Sequence, residues 1–172
     1  MERLLFKVRQ PATSGNKNHY IIWATNVDGV GGVKVLPLWN GNGTVKVIIT
    51  DAENEIASED LIAKVQNYID EQRPIGATVT VVSPKPLNID ISLKVTKGSG
   101  NIDGIKNAVN DFFKTTAFKS EYVSYAQVGK VILEKTATGV QDYSDLTLNN
   151  QTENIALTDE QLPTVGQVNL IE

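Results

Sequence analysis

Few side chains in this sequence are equipped for chemistry. The 172 residues include one histidine, His19, and no cysteine. A thiol nucleophile, a disulfide framework and a cysteine-ligated zinc or iron–sulfur site are therefore excluded. A single histidine also cannot supply a multi-histidine metal cluster within one chain. Ser14, His19 and Asp28 are the residue types of an acyl-transfer triad, in which a histidine takes the serine proton and a carboxylate orients the ring. No Gly-x-Ser-x-Gly elbow accompanies them, and His19 beside Tyr20 reads as a structural residue. Asp51, Glu53 and Glu55 offer three carboxylates just after a strand. Glycosidic chemistry would need two carboxyls about 5–10 Å apart in a cleft, with environments that separate their pKa values. These three lie in a polar stretch without apolar shielding nearby and read as a solvated loop, as do Asp142 and Asp145. No stretch alternates Asp/Asn ligands with a glycine and a terminal Glu, as a calcium loop would. Gly29-Val30-Gly31-Gly32 precedes a strand, whereas a dinucleotide-binding loop follows one. Gly41-Asn42-Gly43-Thr44 lacks the Gly-Lys-Ser/Thr ending of a phosphate-binding loop. Both read as turns. Trp23 reads as core, and Trp39, beside a turn, as partly exposed and able to stack a sugar or anchor a partner. No catalytic, cofactor-binding or metal-ligating residue is assigned, and no cofactor is expected.

The elements that would position these groups follow from periodicity. Glu2 to Gln10 reads as a helix stopped by Pro11. Asn16 to Asn26 reads as a short helix with Tyr20, Ile21, Trp23 and Ala24 on one face. Asp28 to Gly32 is a turn cluster before a strand at Val33–Leu36. Asn40-Gly41-Asn42-Gly43 predicts a tight hairpin turn into a second strand, Thr44–Thr50, with Val45, Val47 and Ile49 on one face. Ser58 is placed to cap a helix whose stripe is Leu61, Ile62, Val65, Tyr68 and Ile69. Thr78 to Ser83 is a third strand. Ser83-Pro84-Lys85-Pro86 reads as a stiff linker between two lobes. Beyond it, Leu87 to Val95 alternates apolar and polar without exception, the pattern of a strand with one wet face. Ile102, Ile105, Ala108, Val109, Phe112 and Phe113 form a helical stripe. Ser124 and Gln127 form a capping box for a helix to about Lys135 that buries Ala126, Val128, Val131 and Ile132. Asp142–Leu148 and Gln167–Ile171 read as strands with a polar loop between. The expected fold is α+β, in two small lobes with mostly antiparallel or mixed sheets. Residues 1–84 hold the N-terminal helices and a ββαβ lobe, and residues 85–172 a βααββ lobe.

Composition is that of a globular chain, 41% hydrophobic and 21% charged, with net charge −4. Neutralising phosphates takes a basic surface, so nucleic acid is not an expected partner. No apolar run reaches the roughly 18–20 residues of a membrane span, and no signal peptide is evident. Asn42-Gly43-Thr44 and Asn150-Gln151-Thr152 match the glycosylation pattern and read as chance occurrences of a short motif. Residues 136–172 hold no Lys or Arg but carry Asp142, Asp145, Glu153, Asp159, Glu160 and Glu172. That is either a solvated acidic surface or a face for a basic partner.

Longer blocks of sequence are more informative. Pro11-Ala12-Thr13-Ser14-Gly15-Asn16-Lys17-Asn18-His19-Tyr20 with Trp23-Ala24, then Val27-Asp28-Gly29-Val30-Gly31, resemble the baseplate J-like proteins of contractile-tail phages and defective prophages. So do Val33 through Val47 and Arg73-Pro74-Ile75-Gly76-Ala77. The resemblance is strongest over residues 11–95 and nearest to the PBSX-type prophage baseplate proteins. It implies a structural wedge component of a tail baseplate that transmits the trigger for sheath contraction, with no active site to carry over. Other baseplate and tail proteins are the implied partners, without nucleic acid or membrane, and copies can associate in the assembled baseplate. The implied location is the virion tail baseplate, reached from the bacterial cytoplasm during assembly. Family members are about twice this length, so the abrupt start at Met1 suggests a C-terminal portion. The alternative from the residues alone is a carbohydrate-binding or glycan-hydrolysing tail-tip module, built on Trp39 and the carboxylates Asp51, Glu53 and Glu55.

Overall fold

The computed structural model describes residues 15–171. The helix expected at Glu2–Gln10 lies outside the described residues. The chain divides into two compact units between Pro84 and Lys85. Among the described residues, no helix is long and apolar enough to cross a membrane.

The first unit begins with α1 (Lys17–Thr25), whose unpaired first-turn N–H of His19 is accepted by the Asn16 side chain at 2.9 Å. β1 (Val30–Pro37) and β2 (Thr44–Asp51) pair antiparallel. α2 (Glu59–Gln72) then carries the chain across to β3 (Thr78–Val82), which pairs parallel to β2. A parallel neighbour requires such a crossover. Ser58 caps α2 as expected, its hydroxyl accepting from Leu61 N–H at 3.3 Å. The core joins Val45, Val47 and Ile49 of β2 to Tyr20, Ala24, Val35, Leu61, Val65, Ile69, Val79 and Val81.

Three local expectations change. Strand β1 starts at Val30, inside the glycine cluster, with a bulge before Val33. A Cβ on Gly31 would overlap the Asp51 carbonyl oxygen, so glycine there admits the end of β2 rather than making a turn. The β1–β2 connection is a loop over residues 38–43, wider than the Asn40–Gly43 turn expected. And β2 is buried on both faces: Ile48 and Thr50 are as inaccessible as Val47 and Ile49. Thr50, fully buried there, has its hydroxyl satisfied by accepting from Gly32 N–H at 2.7 Å.

Gln66 ties α2 to β3. Its side-chain oxygen accepts from Val81 N–H at 2.8 Å, and its amide nitrogen donates to Val79 O and to Asp70 Oδ2. That last bond holds the Asp70 carboxyl below the ordinary carboxylate range; burial opposes it, and the Arg73 guanidinium at 2.6 Å adds to it. A lowered folded-state pKa contributes stability above the unfolded value of about 3.9 and loses it as pH falls through the folded value. The pair is exposed, so Asp70→Asn should cost less than about 1 kcal/mol at pH 7. Urea melts of the two proteins should converge as pH falls well below the unfolded value of about 3.9.

The second unit runs β4 (Lys85–Gly98), α3 (Ile102–Thr116), β5 (Tyr122–Val123), α4 (Tyr125–Glu134), a 3-10 turn (Thr136–Thr138), β6 (Val140–Leu148), β7 (Ile155–Ala156) and β8 (Gln161–Ile171). Strand β4 is central, antiparallel to β6 and parallel to β8, and β5 pairs with β7. Each unit thus has a three-stranded mixed sheet, and the architecture is α+β. The expected four-residue linker shrinks to Ser83–Pro84. Lys85 and Pro86 already pair with β8, and Pro86 is tolerated because it sits at the strand's start. Ile89, Ile91 and Leu93 pack on Ile105, Val109, Phe113, Val128, Ile132, Leu146 and Leu148. Ser124 caps α4, accepting from Gln127 N–H at 3.3 Å. Ala126 and Ile102, expected inside, are exposed, and Val131 and Phe112 are only half-buried. The buried face of α4 is instead Val128, Gly129 and Ile132, because the Tyr143 hydroxyl lies against Gly129.

On the polar side of this sheet Asp90 holds a bulge. Its Oδ1 accepts from Gln167 N–H at 2.7 Å, and its own N–H donates to Asn149 Oδ1 at 2.7 Å. The β4–β8 register slips by one residue at this point, and a Cβ on Gly166 would overlap the carboxylate.

Candidate interaction surface

The side chains equipped for chemistry do not converge. The His19 ring stacks on Trp23, centroids 4.6 Å apart, and Trp23 meets Tyr20 edge-on. His19 Nδ1 accepts from Gly15 N–H at 3.3 Å. Ser14 lies outside the described residues, and Asp28 is exposed in the turn after α1. Asp51 closes a turn: its Oδ1 accepts from Glu53 N–H at 3.1 Å and Glu55 N–H at 2.8 Å. Glu53 and Glu55 are exposed beyond it. Among the described residues no group of His, Cys, Asp and Glu is arranged to hold a metal ion. Two tyrosine hydroxyls have their pKa pushed up: Tyr20 by burial, against Arg73, and Tyr143 by burial first and then by Tyr125 and Asp142.

The acidic residues of the last segment do not form one face. Asp142 and Asp145 lie on β6, whereas Asp159 and Glu160 lie at the head of β8, on the opposite side of β4. Lys85 Nζ is 3.3 Å from Glu160 Oε2.

The first unit has an apolar feature that was only partly legible. Loop 38–43 carries Leu38, 62% exposed, and Trp39, 42% exposed. The neighbouring loop between α2 and β3 carries Ile75, fully exposed. The two loops adjoin, since Thr78 N–H donates to Gly43 O at 2.8 Å. Loop 38–43 is tightly built. Leu38 N–H donates to Thr44 O at 2.7 Å, Asn40 N–H to Thr44 Oγ1 at 3.0 Å, and Thr44 Oγ1 to Gly41 O at 2.7 Å. Lys46 Nζ sits 3.8 Å from the Trp39 ring centroid and fixes one face of the indole. Leu38 has φ 57, a conformation that costs a bulky residue roughly 1–3 kcal/mol. Large apolar side chains held outward on a rigid, strained loop are suited to fill pockets on a partner. Sequence reasoning found Trp39 from its turn context. It missed Leu38 and Ile75, which belong to no periodic stripe.

The chain matches two consecutive domain families. Residues 12–83 match the baseplate J-like central domain, and residues 87–171 match the baseplate J-like protein C-terminal domain. It is 41% identical over 183 residues to the phage-like element PBSX protein XkdT of Bacillus subtilis (strain 168). That alignment covers 99% of this chain and 52% of the relative. It is 25% identical over 181 residues to the baseplate protein gp47 of Escherichia phage Mu, covering 98% of this chain and 49% of that protein. The chain spans about half the length of the curated relatives it matches. Its fold is similar to a chain in the cryo-electron microscopy structure of the anti-feeding prophage baseplate, with TM-score 0.63 and 12% identity. The match covers 96% of this chain and 40% of that one. A central and a C-terminal domain in consecutive order, with relatives aligned across both, place this chain in the baseplate J-like family.

Proposed function

We infer that the protein is a structural part of a phage or prophage contractile-tail baseplate and works by protein–protein contact, without catalysis. The observation that carries this reading is the match of nearly the whole chain to two baseplate J-like domains. The outward Leu38, Trp39 and Ile75 support it, because they suit docking and not turnover. Its partners are other baseplate and tail proteins, neither nucleic acid nor membrane, and further copies of the chain are drawn into the same ring. It assembles in the bacterial cytoplasm and ends in the tail baseplate. Residues 1–84 and 85–172 act as two lobes, and the trigger for sheath contraction passes through it as a rigid-body movement of those lobes about Ser83–Pro84.

Two measurements test this. Cryo-electron microscopy of the parent particle before and after contraction should find the chain in the baseplate with a changed angle between lobes. An unchanged angle would remove the role in contraction, and absence from the baseplate would remove the whole reading. Separately, Trp39→Asp combined with Ile75→Asp should cost no more than about 1–2 kcal/mol of stability, the Ile75 part being negligible and the rest the lost Trp39–Lys46 contact. The same variant should lower incorporation into tails at least tenfold, the scale of one lost anchor residue. Normal incorporation would show that this surface faces no partner.

A further inference from the structure

The block Arg73-Pro74-Ile75-Gly76-Ala77 does more than connect α2 to β3. Arg73 N–H donates to Ile69 O at 2.8 Å and ends the helix, and β3 begins at Thr78. The Arg73 side chain then bridges its own loop. Its Nε donates to Asp70 Oδ1 at 2.6 Å, back on α2, and a terminal guanidinium nitrogen donates to Ala77 O on the far side. Asp70 is held in turn by Gln66, whose side-chain oxygen accepts from Val81 N–H of β3. Both feet of the loop are thus fastened to the same helix and, through it, to the sheet. Ala77 N–H donates to Pro74 O at 3.2 Å and closes a turn, with Gly76 at φ 91. Ile75 stands at its tip, fully exposed. Two contacts join this loop to loop 38–43. Thr78 N–H donates to Gly43 O at 2.8 Å, and the approach is close enough that a Cβ on Gly43 would lie 3.1 Å from Gly76 O.

We propose that Arg73 is a positioning residue for docking: its guanidinium clamps the loop that carries Ile75, so that Ile75 and Trp39 meet a partner as one preformed apolar surface. This rests on the reading that those two side chains face a partner. Loop 38–43 is held by its own hydrogen bonds through Thr44, and Arg73 does the corresponding work for loop 73–77. A loose tip has to be ordered on binding, and that cost is subtracted from affinity; a tip already held escapes it. The guanidinium suits the task because it is a planar fork with donors in fixed directions, able to serve a carboxylate on one side and a carbonyl on the other. Lysine carries the same charge as a point and cannot span both. The Arg73–Asp70 pair is exposed and contributes little stability, so what the arrangement supplies is geometry.

The test joins hydrogen exchange on the whole chain to incorporation into tails in the parent particle. Arg73→Lys should speed amide exchange at Ala77 and Thr78 at least about tenfold, with the α2 amides from Ile62 to Ile69 unchanged. Arg73→Lys and Arg73→Gln should each lower incorporation about three- to tenfold, the scale of ordering a side chain on binding. In a chain that already carries Ile75→Ala, the same substitutions should change incorporation less than about twofold, because the side chain they position is gone. Equal losses in both backgrounds would mean a stability role alone and would overturn the proposal. So would lowered incorporation without faster exchange, which would make Arg73 itself the contact. If Arg73→Gln does not fold, Arg73→Lys, which keeps the charge, carries the comparison. If Trp39→Asp with Ile75→Asp lowers incorporation and the Arg73 variants do not, the docking surface stands and the positioning role falls. If that double variant incorporates normally, both fall.

Discussion

Replacing Gly104 with alanine should destabilise the second unit by about 1–3 kcal/mol, the cost of overpacking a tight contact. Local propensity points the other way, because alanine in an open helix is worth about 1 kcal/mol more than glycine. Packing decides the sign. Gly104 is buried in the first turn of α3, where the 3-10 turn crosses. A Cβ there would overlap the Ala137 carbonyl oxygen, and it would lie 2.6 Å from the carbonyl carbon and 3.1 Å from Thr138 Cα. All three are backbone atoms. They are held in place by Asn101 N–H donating to Thr138 O at 2.7 Å and by Thr138 Oγ1 donating to Ile132 O at 2.7 Å. No rotamer change can relieve the overlap, so the helix would have to lift. Asn107→Ala, exposed on the same helix, is the control and should gain a few tenths of a kcal/mol. Urea melts of both variants read the contrast. A Gly104→Ala protein as stable as the control would mean that the crossing is looser than described.

Ile91→Ala should cost about 2–5 kcal/mol, the range for emptying a fully buried aliphatic site. Ile91 lies in the central strand between Leu148 of β6 and Val168 of β8, inside the core that α3 and α4 cover. Its neighbours come from three strands and two helices, so the cavity cannot close by moving one side chain. Domains are stable by roughly 5–15 kcal/mol in all, which makes this one truncation a large share. For a unit of this size the fall in Tm should be at least about 10 °C by calorimetry. Ser92→Ala, next in the strand and on the polar face, should move Tm by no more than about 3 °C. Similar shifts for the two variants would sink the assignment of faces in β4.

Much of this fold could be read in advance where one physical rule acts locally. The alternation from Leu87 to Val95 fixed which face of β4 is dry, and Ser58 and Ser124 marked their helices because a side-chain oxygen beside free N–H groups works through short range alone. What was not legible depended on distant partners. Nothing near Ile48 in sequence says that β2 is central and buried on both faces. On α4 Val128 and Ile132 are buried as expected, but Ala126 is not, and Gly129 joins the buried face because Tyr143, on β6, lies against it. Strands β5 and β7 are two residues each, too short for any period to register. The same division holds for the interaction surface. Trp39 could be anticipated from the turn beside it, whereas Ile75 gained meaning only once Thr78 N–H bonded Gly43 O and set the two loops together. Asp51, expected in a solvated loop, is the last residue of β2, and its work as the acceptor that closes the turn beyond it depends on the Glu53 and Glu55 backbone N–H positions.

The parallel pairing of β4 with β8 also governs how the protein comes to be folded. Asn88 and Thr164, which bond across that pair, are 76 residues apart, whereas β2 meets β3 after one helix. Ring closure over the longer span is entropically harder, and a sheet assembled from distant segments folds slowly. On the ribosome, at about 5–20 residues per second, β4 would wait roughly 4–15 seconds for the strand that completes it. Throughout that interval β4 lacks the neighbour on its β8 edge, and Ile91 lacks Val168, although α3, α4 and β6 are made before β8 is. The row Asn88, Asp90, Ser92, Lys94 on its polar face keeps the nascent strand hydrated. The first unit can finish on its own strands in the meantime, so the newborn chain is half folded and half waiting. The second unit's sheet is therefore where a nascent chain would need protection from aggregation.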